Sequence, residues 1–156
     1  PIILKHFEDN PMAAFGIHNF CKVGKKKYGK APGTWFGPTT AAQALADLGT
    51  ATEKPVVGLR VITFAHGSLC KDEVQKLFEE NGVEGVVVVL CCKLGVDLFN
   101  YEAYQQPLAD CFRLPWFQGL CGGGPTTAAH FFVGCSDTEV FYLDPHVRFL
   151  NTKMRF

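Results

Sequence analysis

The chain has 156 residues, with 15 basic and 15 acidic side chains, 47% hydrophobic and 19% charged content. That is the size and balance of one ordinary globular domain, far from the charge-rich composition of disordered chains. A formal net charge of zero excludes bulk electrostatic attraction as a basis for nucleic-acid binding, and no apolar run approaches the ~20 residues of a membrane span.

Residues 1–9 carry Ile2, Ile3, Leu4 and Phe7 and predict a short helix that Asn10-Pro11 ends. The stretch Lys22–Lys30 holds five lysines and two glycines, which predicts a solvated loop; a basic contact with an anionic membrane or an acidic partner is its functional alternative. Gly37-Pro38-Thr39-Thr40 then opens a helix through about Leu48, because proline fits a first turn where its missing N–H costs nothing. Pro55–Ala65 reads as a strand. Lys71–Asn81 reads as an amphipathic helix (Val74, Leu77, Phe78) stopped by Gly82. Gly85–Cys92 is a near-continuous apolar strand, expected to be buried on both faces. Tyr101–Phe112 reads as a helix, with Pro107 a break or a first turn. The last third reads as strands at Ala129–Cys135, Val140–Leu143 and Val147–Leu150. Helices followed by a strand-rich end predict an α+β fold. A six-residue repeat, Gly37-Pro-Thr-Thr-Ala-Ala42 and Gly124-Pro-Thr-Thr-Ala-Ala129, is too isolated to be a solenoid and marks two entries into regular elements.

Seven cysteines, an odd number with no Cys-x-x-Cys pair, argue for free thiols in a reducing compartment and against zinc ribbons. Pro1-Ile2-Ile3-Leu4-Lys5 is not a signal peptide. No initiator Met stands at position 1, which makes a fragment one of the readings of this chain.

Three segments carry candidate chemistry. Asp144-Pro145-His146 follows a strand, and in an extended chain residues i and i+2 point to one face. A carboxylate beside an imidazole fixes its tautomer and stabilises the imidazolium, which is the base-and-orienter half of a nucleophilic triad; a surface turn is the plainer alternative for the tripeptide alone. Leu120-Cys121-Gly122-Gly123-Gly124-Pro125 combines backbone freedom with a thiol, either as a gating loop or a flexible connection. With seven cysteines in the chain, the proximity of Cys121 to His130 and His146 is taken as coincidence. Trp35-Phe36, between Gly33 and Gly37, forms either a lid or binding surface, or core packing of Trp35. His6, His18, His66 and His130 lack metal-ligand spacing and are read as structural or solvent-facing; neither metal nor cofactor is expected.

In this order the segments resemble the autophagins, autophagy-related cysteine peptidases of papain-like fold that process a ubiquitin-like autophagy modifier. The match runs through Ile3-Leu4-Lys5-His6-Phe7, Phe15-Gly-Ile-His-Asn19, Trp35-Phe36-Gly37-Pro38, Val88-Val-Leu-Cys-Cys-Lys-Leu-Gly95, Gly123-Gly124-Pro125 and Leu143-Asp144-Pro145-His146. The resemblance implies His146 as general base and acid, Asp144 as its orienter, and Trp35 as the aromatic that gates or contacts the substrate's C-terminal glycine. Gly123, Gly124 and Pro125 would belong to a regulatory loop over the groove. It implies cleavage of the modifier after its C-terminal glycine, release of the modifier from phosphatidylethanolamine, and a cytoplasmic location with peripheral membrane contact.

Thr39 departs from the family's usual Asn or Ser, Gly124 from a usual basic residue, and the stretch Pro125–Asp144 is one residue longer. The family's nucleophile lies upstream in a Gly-Trp-Gly-Cys context that these 156 residues lack, and the C-terminal part after residue 150 looks short. The expectation is therefore one partial peptidase domain over 1–156, inactive alone. Its alternatives are a non-catalytic module that grips the modifier, a peptidase for another ubiquitin-like modifier, and an α+β domain that has lost the function.

Overall fold

The computed structural model describes residues 2–51, 56, 58–94, 101–122, 130–144 and 152–155. The chain divides into two compact units, Pro1–Cys92 and Lys93–Phe156, and mixes helix with sheet in the α+β manner expected.

The first unit opens with a 3-10 turn, Ile3–Phe7, whose Phe7 ring stacks on Phe15 at 5.0 Å. The loop after it is closed by short polar contacts: Asn10 Oδ1 accepts from the Met12 N–H at 2.9 Å, and the Asn19 amide donates to the Ala13 carbonyl at 2.8 Å. Helix α1 (Ile17–Tyr28) follows, so the lysine-rich segment expected as a loop is mostly helical. The reason lies in spacing: Phe20, Val23, Gly24 and Tyr28 turn inward, while Lys22, Lys25, Lys26 and Lys27 occupy the solvated side. The helix ends at Gly29, whose φ of 64° few other residues adopt. At Gly24 the Phe36 ring lies so close that any Cβ would overlap it. Phe36 thereby becomes the anchor of the Trp35-Phe36 pair.

Helix α2 (Pro38–Thr50) begins where the Gly37-Pro38 signal places it and buries Ala44, Leu48 and Gly49. It packs on β1 (Leu59–Phe64), whose Val61 and Phe64 complete the small apolar core. After helix α3 (Lys71–Phe78), β2 (Gly85–Leu90) pairs with β1 in parallel, Leu59 opposite Gly85 through Phe64 opposite Leu90. Strand β2 is not buried on both faces as its apolar run predicts. Val87 is 39% and Leu90 45% exposed, and among the described residues β2 has β1 as its one strand neighbour, the strand on which α2 packs.

Two polar clusters tie these elements together. Arg60, only 5% exposed, donates from Nε to Glu80 Oε2 at 2.7 Å and from Nη1 to the Gly49 carbonyl at 2.6 Å. Between α1 and α2, Asp47 accepts from Tyr28 Oη and Lys27 Nζ, each at 2.6 Å. Burial, then the hydrogen bond to Asp47 and its negative charge, push the Tyr28 phenol up from 10.0 to about 12. A folded-state pKa above the unfolded one means that this stabilisation is complete below about pH 10 and fades as pH rises from about 10 towards 12. The difference in tyrosinate absorbance between the wild type and Tyr28→Phe should titrate near 12; a midpoint near 10 would contradict the contact.

In the second unit, helix α4 (Tyr101–Arg113) runs through Pro107 without ending and packs on β4. Strands β3 (Leu120–Gly122), β4 (His130–Cys135), β5 (Glu139–Leu143) and β6 (Thr152–Arg155) form an antiparallel sheet in the order β3-β4-β5-β6. Strands β3 and β6 add to the sequence expectation, while the strand expected at 147–150 and the second Gly-Pro-Thr-Thr-Ala-Ala copy lie outside the described residues. The β4–β5 turn is closed by Ser136, whose N–H donates to the Glu139 carbonyl at 2.7 Å and whose Oγ accepts from the Glu139 N–H at 3.1 Å. No helix among the described residues is long and apolar enough to cross a membrane.

Candidate active site

The site-bearing face of the second sheet follows from its register. Phe131 stands opposite Leu143 and Phe132 opposite Tyr142, so one step further His130 comes opposite Asp144 at the end of β5. Alternation along a strand then puts His130 and Phe132, with Tyr142 and Asp144, on one face. The rings agree: His130 lies 4.4 Å from Tyr142 and 6.2 Å from Phe132, and Phe132 lies 5.7 Å from Tyr142. The His130 and Asp144 side chains are 10% and 18% exposed, and Nε2 faces Oδ2 at 3.7 Å. His130 Nδ1 is buried and has no hydrogen-bond partner among the described residues. On the other side of β4, Gly122 pairs with His130, and a Cβ there would meet nothing within 4 Å.

The register depends on a β-bulge. Phe132 pairs with Tyr142 but Gly134 pairs with Phe141, which leaves Val133 as an extra residue in β4. Without it, Phe131 would stand opposite Asp144, and His130 would share no face with the carboxylate.

Of the sequence-derived site residues, Asp144 takes a partly buried place at the edge of this face. His146, Gly123, Gly124 and Pro125 lie outside the described residues. Trp35 belongs to the first unit, in the loop before α2, with its ring over Gly37 and 69% of its surface exposed. Core packing of Trp35 is thus overturned, since its neighbour Phe36 fills that role. Cys121, on β3, is exposed as a residue, yet neighbouring atoms desolvate its sulfur and push the thiol above its ordinary value. A thiol nucleophile requires the opposite shift. His130, read from sequence as structural or solvent-facing, is packed among Phe132 and Tyr142 and lies beside Asp144, a nearness the sequence reading did not foresee. His18 shows the other outcome: it sits at the surface, 3.1 Å from Asp9. No group of three or more His, Cys, Asp or Glu side chains among the described residues is arranged to hold a metal ion.

Comparison with known proteins accounts for the order of these motifs. The family model of the Peptidase C54 catalytic domain matches residues 2–154. A probable cysteine protease ATG4 of Eremothecium gossypii is 36% identical over 151 residues, which are 96% of this chain and 28% of that protein. Cysteine protease 1 of Neurospora crassa is 38% identical over 153 residues, 92% of this chain and 28% of that protein. The probable cysteine protease atg4 of Schizosaccharomyces pombe is 36% identical over 145 residues, 92% of this chain and 42% of its own length. The chain belongs to the Peptidase C54 family, a family of cysteine proteases linked to autophagy. It spans less than half the length of each of these relatives.

Proposed function

We propose that the chain supplies the acid–base half of a papain-like cysteine endopeptidase acting on the ubiquitin-like autophagy modifier. The family match over residues 2–154, which brings Asp144-Pro145-His146 with it, carries this reading. The position of Asp144 supports it: a partly buried carboxylate at the end of a strand can be held still enough to orient a ring. In the proposed reaction His146 takes the proton of a thiol contributed from outside these residues. The thiolate attacks the carbonyl carbon of the modifier's C-terminal glycine, and backbone N–H groups hold the oxyanion. The His146 imidazolium then protonates the departing amine, either of the downstream peptide or of phosphatidylethanolamine. Finally, water deprotonated by His146 hydrolyses the thioester and releases the free carboxylate.

Trp35 is proposed to meet the glycine end of the substrate, and an exposed indole between glycines suits such a contact. Gly123, Gly124 and Pro125 are proposed to cover the groove, and a cytoplasmic location with peripheral membrane contact goes with the lipidated substrate. The raised Cys121 thiol argues against that residue as the nucleophile, and no Gly-Trp-Gly-Cys motif stands in these 156 residues, so they are expected to leave a C-terminally tailed modifier uncut. A protein that carries this chain together with a nucleophilic Cys is expected to trim the tail and to release the modifier from phosphatidylethanolamine-containing vesicles. Turnover by the isolated chain that Cys121→Ala abolishes would make Cys121 the nucleophile instead. Binding of the modifier without cleavage by either form would favour a non-catalytic module.

A further inference from the structure

We propose that His130 is a positioning residue for Asp144, a second imidazole that holds the carboxylate from strand β4. The inference rests on the reading of Asp144 as the orienting carboxylate. Three observations support it. The hairpin register makes His130 and Asp144 cross-strand neighbours on one face, and Nε2 points at Oδ2 across 3.7 Å. The ring is fixed in that direction by Tyr142 at 4.4 Å and Phe132 at 6.2 Å, in a setting that leaves the side chain 10% exposed. The second ring nitrogen, Nδ1, is buried with no partner among the described residues.

The last point assigns the proton. A neutral imidazole has one N–H and one lone pair, and a buried unpaired N–H is costly. With the proton on Nε2, the donor faces the carboxylate and only a lone pair is left unpaired. The opposite tautomer would orphan the N–H and set a lone pair against a negative oxygen. A separation of 3.7 Å is long for a direct hydrogen bond. Contacts of this kind in a free enzyme often shorten when substrate closes the site. Strand β4 thereby anchors Asp144.

The test has a readout that needs no catalysis and one that does. Nitrogen NMR of the imidazole rings in the full chain should find His130 as the Nε2–H tautomer, with its Nε2–H signal displaced by Asp144→Asn. In the protein that carries the nucleophile, His130→Phe, which keeps an aromatic ring but no donor, should lower kcat about tenfold with little change in KM. His130→Gln, which offers an N–H near the place of Nε2, should recover most of that loss; a purely structural histidine would not show this difference. The proposal falls if the His130 signal is the same with and without Asp144→Asn, or if the Gln and Phe variants are equally impaired or equally unaffected. A wild-type protein that cleaves nothing while the signal still moves would refute the peptidase reading and support the His130–Asp144 pairing.

Discussion

Asp144→Asn, in the protein that carries the nucleophile, is expected to lower kcat by about 10²–10⁴-fold with KM nearly unchanged. Asparagine preserves size and shape, so the sheet face of His130, Phe132 and Tyr142 should stay packed. What changes is charge. A carboxylate presents only acceptors to an imidazole and stabilises its protonated form; an amide turned with its NH₂ towards the ring favours the wrong tautomer and stabilises no cation. The loss therefore belongs to the transition state, where His146 is proposed to carry a proton, and not to substrate binding. Steady-state cleavage of a tailed modifier, alongside thermal unfolding of the same variant, separates the two. Turnover within about threefold of wild type in a folded variant would remove Asp144 from the mechanism.

The largest effect on stability is expected at Arg60. Its guanidinium is enclosed by β1, the last turn of α2 and the segment after α3, bonded to Glu80 and to the Gly49 carbonyl. The Gly49 carbonyl lies in the last helical turn, where a cation also meets the negative end of the helix dipole. Arg60→Leu removes both bonds and leaves that carbonyl without this partner, at an expected cost of about 2–4 kcal/mol in urea unfolding. Glu80 is 41% exposed on its side chain, so water compensates it, and Glu80→Gln, which keeps an acceptor for Nε, should cost about 1 kcal/mol or less. The reverse order of the two effects would mean that the ion pair, and not the enclosed bond to Gly49, supplies the stability.

Local chemistry made several elements legible in the sequence. Gly37-Pro38 places the start of α2, Gly82 follows the end of α3, and the apolar runs locate β1, β2, β4 and β5. Two failures have definite causes. The five lysines of Lys22–Lys30 concealed a helix because its inward stripe is short and includes Gly24, a poor helix former that is kept because the Phe36 ring leaves no space for a Cβ. That constraint comes from a residue twelve positions away and no local pattern displays it. The nearness of His130 to Asp144 is hidden for a similar reason. The partner of that ring is set by pairing between strands, and a hairpin counted from its turn without the Val133 bulge places Phe131 opposite Asp144 instead. Asp144 could be proposed from sequence because the residues that single it out, Pro145 and His146, are its neighbours in the chain.

The seating of Phe36 on Gly24 has an entropic consequence for Trp35. The backbone next to the indole is held by an interlocked contact with helix α1, while the indole itself keeps 69% of its surface exposed. A molecule that docks on Trp35 orders one side chain with two torsions, at roughly 0.5–1.5 kcal/mol. An unanchored loop of the same length would add about 1–2 kcal/mol for every backbone residue fixed. The glycine that lowers the helix propensity of α1 thus lowers the entropic cost that docking on Trp35 would carry.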